Sequence, residues 1–217
     1  MTAETIFFSV QAETPSEAES GPPARPRERA GMLARALLSS MLADIWDISP
    51  HAVEICSDKS GRPYLAADDA RRLPFISLSH SRGWVACAAT EIGPVGIDIE
   101  RQRPGRDHSG ISSVAFGPLE RDRVARAGVG AFYRIWTLRE AIAKACGQGL
   151  ALATDGRDRV YDGPDEGDWV TMLDGTAWAL SHRFMENDLS LATALMLRHP
   201  AQRPAYAHWS GSLNIRR

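Results

Sequence analysis

Cysteine is scarce in this chain, and its pattern supports neither a metal site nor a disulfide framework. Only Cys56, Cys87 and Cys146 occur, an odd number without CxxC or Cys/His ligand spacing. Long apolar runs are missing as well, since no stretch reaches the length of a membrane span. The segment from Met1 to Val10 lacks the basic start of a signal peptide. We therefore expect a soluble, cytoplasmic protein without a membrane partner.

A large excess of charge of either sign is also missing. The 217 residues carry 25 Lys and Arg against 27 Asp and Glu, a formal net charge of −2. This balance argues against a general nucleic-acid binder, which needs a basic surface. No P-loop or kinase-like glycine loop is present, so a phosphoryl transferase that uses a free nucleotide has no support. The apolar fraction of 44% is sufficient for a hydrophobic core.

The hydrophobic periodicity predicts a mixed α+β fold. In the first part we expect a strand over 5–11, a loop over 12–25, a helix over 26–45 and a strand over 53–56. Strands over 75–80, 85–90 and 95–100 are joined by short turns, which favours an antiparallel meander. A linker over 101–110, helices over 113–127 and 130–146, and strands over 168–173, 177–184 and 189–197 follow. Because helix and strands recur in the same order, we expect two similar halves, 1–94 and 95–217, with the site between them.

Two short segments carry the residues best suited to chemistry. The strand Val95–Glu100 alternates, so Asp98 and Glu100 share the face opposite its isoleucines. On the helix over 130–146, Glu140 and Lys144 are four residues apart and lie side by side. Three carboxylates could hold a hard divalent cation through oxygen, and a neighbouring lysine could hold a phosphate. This combination indicates metal-assisted phosphoryl chemistry.

Each of these features also has an ordinary structural interpretation. Asp98 and Glu100 could lie on the solvated face of an edge strand, and Glu140 and Lys144 could be a surface ion pair worth a few tenths of a kcal/mol. Arginines at 25, 27 and 29 at a helix start oppose the helix dipole, which favours an anionic partner but also fits a solvated basic face.

The order of five motifs, rather than any one of them, identifies a family. They are Asp58–Tyr64 (DKSGRPY), Ile76–Ser81 (ISLSHS), Gly96–Glu100 (GIDIE), Phe116-x-x-x-Glu120, and Trp136-x-x-Arg139-Glu140-Ala141-x-x-Lys144 followed by Gly147 and Gly149. This series closely resembles the 4′-phosphopantetheinyl transferases of the surfactin-synthetase-activating type (Sfp). The motifs extend over about residues 27–150, and the β-rich remainder fits by pattern alone.

The resemblance implies a fold and a set of site residues. The family has a pseudo-dimeric α+β fold with its site at the interface between the halves. Asp98, Glu100 and Glu140 match the carboxylates that bind Mg²⁺, or Mn²⁺ in its place, and Glu140 is also a candidate catalytic base, acting directly or through a metal-bound water. Lys144, a second catalytic residue, and Arg139, Ser79, His80, Arg62 and Arg29 match positions that hold coenzyme A. Residues 1–94 would contact its adenine and 3′-phosphate, and residues 95–217 would carry the metal carboxylates and the catalytic helix.

The activity that the resemblance implies is transfer of 4′-phosphopantetheine from coenzyme A to a serine of an apo acyl or peptidyl carrier protein. The reaction would depend on Mg²⁺ and release adenosine 3′,5′-bisphosphate. The chain length is similar to that of single-chain members, so we expect a monomer. Arg62 and Arg139 replace the family's usual lysines, which keeps the charge but changes a point donor into a planar fork. The alternative is a non-catalytic protein that binds coenzyme A or a carrier and regulates a synthase.

Overall fold

The structure is a computed structural model that describes residues 4–13, 25–67, 72–160 and 162–211. Its elements in chain order are β1 (Thr5–Ala12), α1 (Pro26–Trp46), β2 (Glu54–Ser57), β3 (Pro63–Ala66), β4 (Phe75–Ser81), β5 (Trp84–Thr90), β6 (Val95–Arg101), α2 (His108–Ala115), α3 (Pro118–Ala127), α4 (Val129–Cys146), α5 (Gly149–Ala153), β7 (Gly167–Leu173), β8 (Thr176–Met185), β9 (Leu189–Met196) and β10 (Ala205–His208). The predicted mixed α+β class is confirmed.

Two four-stranded sheets form the centre of the molecule. The first sheet has the order β10-β1-β5-β4, and the second has the order β6-β9-β8-β7. Helix α1 buries Leu37, Leu38 and Met41 against one face of the first sheet. Helix α4 buries Phe132 and Leu138, among others, against the outer face of the second sheet. The inner faces of the two sheets meet in a third apolar cluster, so the layers follow the order helix, sheet, sheet, helix.

The predicted meander is wrong at its third strand. Strands β4 and β5 pair as expected, but β6 leaves them and pairs along its whole length with β9, which comes about a hundred residues later. Side-chain alternation identifies a strand but not its partner, and the pairing of β6 is decided by the packing of both of its faces. The side chains of Ile97 and Ile99 fill the cluster between the sheets, while Asp98 lies on the opposite face.

Other boundaries differ from the predictions at turns. The expected helix over 113–127 is two helices, α2 and α3, because Pro118 lacks an N–H and suits the first turn of a new helix. The short strands β3 and β10 and the single-turn helix α5 were not predicted. Strand β10 pairs in parallel with β1, so the segment that follows β9 returns to the first sheet. The division into halves at residue 94 stays a prediction. Strand β10 belongs to the predicted second half but pairs with β1 of the first half.

Glycine at position 96 allows β6 to approach α4 closely. A Cβ atom at Gly96 would lie 1.9 Å from the carbonyl oxygen of Ala141, a backbone atom of α4 that cannot move aside. Larger residues are therefore excluded at this position, and the contact places Asp98 and Glu100 directly beside the helix that carries Glu140 and Lys144. No helix in the described ranges is both long and apolar enough to cross a membrane.

Candidate active site

A cleft of about 570 Å³ collects most of the residues that the motifs single out. It lies between α1, the β2–β3 hairpin, and the adjoining elements β4, β6 and α4. The lining consists of Arg27, Gly31, Ala34, Arg35, Ser57, Gly61, Pro63, Leu78, Ser79, His80, Asp98, Glu100, Trp136, Glu140 and Lys144. Acidic side chains come from β6 and α4, and basic side chains come from α1, β4 and α4.

Asp98 is the most buried acid of the cleft, with 6% of its surface exposed. Its Oδ1 accepts hydrogen bonds from the Ser79 hydroxyl and from the Lys144 ammonium, both at 2.8 Å. Lys144 also donates to the Ser79 hydroxyl at 2.8 Å and to the carbonyl oxygen of Ile97 at 2.9 Å. The second carboxylate oxygen of Asp98, Oδ2, is buried and has no hydrogen-bond partner among the described residues. A buried polar atom of this kind is suited to a ligand that enters the cleft.

Glu100 is held on both of its oxygens. Its Oε2 accepts a hydrogen bond of 2.9 Å from the Ser81 hydroxyl, and its Oε1 lies 3.8 Å from the guanidinium of Arg106. That guanidinium stacks on the rings of three aromatic residues of α4, Trp136 among them, at 5.1 to 5.7 Å from the ring centres. Burial, and next the charge of Asp98, raise the pKa of Glu100, whereas the hydrogen bond from Ser81 opposes the rise.

Glu140 has the most perturbed carboxyl group of the cleft. Burial raises its pKa to about 7, the negative charge of Asp98 adds to the rise, and Lys144 opposes it. Glu100 contributes in the same direction as Asp98. The three carboxylates therefore lie close enough to one another to repel, although they come from a strand and a helix. A carboxyl with a pKa near neutrality can gain and lose a proton at physiological pH.

The acids do not form a closed metal centre in this arrangement. Within the described ranges, no three His, Cys, Asp or Glu side chains converge tightly enough to hold a metal ion. Two of the carboxylates already have protein partners. Lys144 donates a hydrogen bond to one oxygen of Asp98, and Glu100 accepts one from Ser81 and lies near Arg106. The donor set nevertheless fits Mg²⁺, which prefers oxygen ligands. Asp98 Oδ2 has no partner among the described residues, and a divalent cation would favour the ionised forms of Glu100 and Glu140, whose pKa values are raised by burial and then by mutual repulsion.

The opposite wall of the cleft is cationic. Arg27 and Arg35 line it from α1, where Gly31 and Ala34 leave room between them. Arg35 also donates to the carbonyl oxygen of Ile55 at 2.6 Å and so ties α1 to the β2–β3 hairpin. Arg35 was not predicted; the signal for it is the spacing of residues 27, 31 and 35, which puts two arginines and a glycine on one helix face.

His80 lies within this basic group. Burial first, and then the positive charges of Lys144 and Arg27, lower the pKa of His80. A neutral histidine can still donate one hydrogen bond to an anion. Ser79 and His80 thus have different surroundings, since the Ser79 hydroxyl is directed to Asp98 and His80 faces the cations.

Two predicted arginines lie outside this cleft. Arg29 points to Glu13, with 3.8 Å between their charged atoms. Arg62 lines an adjoining cavity of about 340 Å³, which shares Pro63 with the cleft and is otherwise mostly apolar. Its side chain also lies against Gly147 at the C-terminal end of α4, where a cation is favoured by the helix dipole.

Arg139 requires a correction, because the structure does not bring it to the cleft. It is 1% exposed, and its guanidinium donates to Glu120 at 2.7 Å and to Asp155 at 2.8 Å. Two backbone carbonyl groups accept its remaining hydrogen bonds. Residues 139 and 140 are neighbours in sequence but point about 100° apart on a helix. Arg139 therefore joins α4 to α3 and to the segment after α5, and it is not available to a ligand of the cleft.

Comparison with known proteins agrees with this geometry. Residues 94–194 match the family model described as the 4′-phosphopantetheinyl transferase superfamily, a stretch that includes Asp98, Glu100, Glu140 and Lys144. A 4′-phosphopantetheinyl transferase of Bacillus subtilis is 30% identical over 130 residues, which cover 57% of this chain and 54% of that protein.

Two further relatives have similar coverage. The 4′-phosphopantetheinyl transferase HetI of Nostoc sp. (strain PCC 7120) is 32% identical over 121 residues, covering 54% of this chain and 51% of the relative. The 4′-phosphopantetheinyl transferase AcpT of Escherichia coli K12 is 32% identical over 130 residues, covering 58% and 61%. The chain thus spans about half the length of the first two of these relatives. The resemblance predicted from the motifs is confirmed: the chain is similar to 4′-phosphopantetheinyl transferases, and residues 94–194 match the superfamily.

Proposed function

We propose that this protein transfers the 4′-phosphopantetheine group of coenzyme A to a serine of an apo acyl or peptidyl carrier protein, with Mg²⁺, and releases adenosine 3′,5′-bisphosphate. One observation carries the proposal. A single cleft holds three mutually repelling carboxylates, with Lys144 beside them, on one wall and arginines and a histidine on the other. A polyanionic substrate that is bound together with a cation needs both kinds of wall.

The basic wall suits the phosphates of coenzyme A. Arg27 and Arg35 offer planar forks that can pair with a terminal phosphate through two parallel hydrogen bonds. Lys144 and His80 lie nearer the acids and suit the pyrophosphate. The adjoining apolar cavity that Arg62 lines has the character expected for a flat base. Arg29 stays a more distant candidate because of its contact with Glu13.

The acids would hold Mg²⁺ through Asp98, Glu100 and Glu140. When bound, the ion would supply charge neutralisation on the pyrophosphate and so favour departure of the leaving group. Glu140 is the residue suited to take the proton of the carrier serine, since its pKa of about 7 allows it to act near neutrality. The serine oxygen forms a bond to the phosphorus that bears the pantetheine arm, and the bond from this phosphorus to the adenosine bisphosphate oxygen breaks. Lys144 offsets charge on the phosphate oxygens.

The rival function is a protein that binds coenzyme A or a carrier without catalysis. Three partly desolvated acids beside a polyanion would weaken such binding, so the composition of the cleft favours the enzyme. We further propose the two-half organisation and a monomer, with residues 1–94 contacting coenzyme A and residues 95–217 supplying the acids.

The test is the mass of apo carrier proteins after incubation with the purified protein, coenzyme A and Mg²⁺. A panel of acyl and peptidyl carriers is assayed in parallel, with omission of Mg²⁺ as one control and a carrier whose acceptor serine is replaced by alanine as another. The proposal predicts addition of one phosphopantetheine group to at least one carrier, only with Mg²⁺ and only with the serine present. Binding of coenzyme A without modification of any carrier would support the rival.

A further inference from the structure

A row of serines on β4 connects the two sheets. β4 is an edge strand of the first sheet and β6 is an edge strand of the second. The hydroxyl oxygens of alternate residues of β4 accept hydrogen bonds from alternate backbone N–H groups of β6: Ser77 from Ile97 at 3.1 Å, Ser79 from Ile99 at 3.3 Å, and Ser81 from Arg101 at 3.2 Å. Side-chain oxygens thus take the place of the carbonyl groups of a neighbouring strand.

Two of the three serines also donate a hydrogen bond to a carboxylate of β6. A serine hydroxyl has one proton to donate and two lone pairs that accept. Ser81 accepts from the backbone of residue 101 and donates its proton to Oε2 of Glu100 at 2.9 Å. Ser79 similarly donates to Asp98. Ser77 accepts from Ile97, and no carboxylate in the described part of the chain accepts its proton. Ser77 therefore only connects the two sheets, whereas Ser81 connects them and also binds the Glu100 carboxylate.

We propose that Ser81 is a positioning residue that orients the Glu100 carboxylate for metal binding; this inference rests on the proposed function. The hydroxyl oxygen is fixed by the N–H of Arg101, so its proton is directed to one oxygen of Glu100. Arg106, at 3.8 Å, is beyond hydrogen-bond distance from the other oxygen. Trp136, which favours the ionised form of Glu100, remains when the Ser81 hydroxyl is removed.

Ser77 provides a matched control for Ser81. Each alanine variant loses one hydrogen bond from a backbone N–H of β6, but only Ser81→Ala also loses the bond to the Glu100 carboxylate. The N–H of Ile97 is buried and would be left without a partner, whereas Arg101 is exposed and water can replace the lost acceptor. Ser77→Ala should therefore lower the melting temperature at least as much as Ser81→Ala does.

The measurement is Mn²⁺ binding, followed by electron paramagnetic resonance in the presence of coenzyme A, together with kcat and KM for transfer. Loss of a residue that orients a metal ligand typically weakens metal affinity by about 10- to 100-fold. We expect Ser81→Ala to weaken Mn²⁺ binding by about tenfold, with little change in KM for coenzyme A. Ser77→Ala should bind Mn²⁺ like wild type despite its lower melting temperature, and Ser81→Thr, which keeps the hydroxyl, should restore binding.

Several outcomes would overturn the inference. They are equal Mn²⁺ affinity in Ser81→Ala and wild type, an equal loss in Ser77→Ala, no recovery in Ser81→Thr, or no Mn²⁺ binding by wild type. If wild type binds Mn²⁺ but modifies no carrier, the proposed function fails, and the Mn²⁺ affinities of the variants still decide the role of Ser81.

Discussion

Replacing Glu140 by glutamine should stabilise the fold while it removes the proposed catalytic base. Burial and the nearby acids raise the pKa of Glu140 from 4.5 to about 7, and this value already includes the attraction of Lys144. Each pKa unit is worth about 1.4 kcal/mol, so the ionised carboxylate lowers the free energy of unfolding by about 3 kcal/mol above neutral pH. Glutamine keeps the shape of the side chain and carries no charge. We therefore expect Glu140→Gln to gain about 1–3 kcal/mol at about pH 8.

The gain should depend on pH in a defined direction. Between pH 4.5 and about 7 the folded protein keeps a proton on Glu140 that the unfolded chain has lost, so wild-type stability falls as the pH rises through this window. At lower pH both states are protonated, and the difference between wild type and variant should vanish. Urea unfolding of both proteins at several pH values, without divalent cations, measures the difference.

A control substitution outside the cleft shows whether removal of any carboxylate raises the free energy of unfolding. Glu54 is exposed on β2 and lies outside the cleft. Glu54→Gln should leave stability within about 0.5 kcal/mol of wild type over the same range. If Glu140→Gln shows no gain above neutral pH, or the same gain at every pH, then Glu140 is not a desolvated, repelled carboxylate.

Three further predictions concern the acids, the arginines and the strand–helix contact. Asp98→Ala should lower transfer by at least about 100-fold while the protein stays folded, and a folded variant with near-wild-type turnover would contradict the assignment of Asp98. Dephospho-coenzyme A should bind about tenfold more weakly than coenzyme A, and Arg27→Ala or Arg35→Ala should narrow that difference. Equal binding of both donors by wild type would refute this. Gly96→Ala should lower the free energy of unfolding by about 3 kcal/mol or more, because the added Cβ would lie 1.9 Å from a backbone oxygen of α4. Gly31→Ala, which has open space in helix α1, should raise it by about 0.5–1 kcal/mol. Similar free energies of unfolding for the two variants would exclude the tight contact at Gly96.

Local periodicity was sufficient to predict the elements that carry the acids. The stripe of Ile135, Leu138 and Ile142 predicted α4, and all three side chains are buried. The alternation in β6 likewise placed Asp98 opposite the isoleucines. In both cases a buried apolar face fixes the orientation of the polar side chains, so their direction follows from sequence alone.

Long-range contacts were not predictable in the same way. The pairing of β6 with β9 depends on residues far along the chain, and the pattern of β6 is equally compatible with a neighbour in sequence. Arg139 illustrates a second limit, since its burial depends on Glu120 and Asp155, which come from other elements. Arg35 was missed because the spacing of residues 27, 31 and 35 indicates a basic helix face but does not show what faces it; the contact of Arg35 with the β2–β3 hairpin shows this.

The mass of an apo carrier protein after incubation with coenzyme A and Mg²⁺ tests the central claim most directly. With wild-type protein we predict that the carrier gains one phosphopantetheine group on its serine and that adenosine 3′,5′-bisphosphate appears in equal amount. With folded Asp98→Ala protein we predict an unchanged carrier. An unmodified carrier throughout the panel with wild type, or equal modification with Asp98→Ala, would contradict the account.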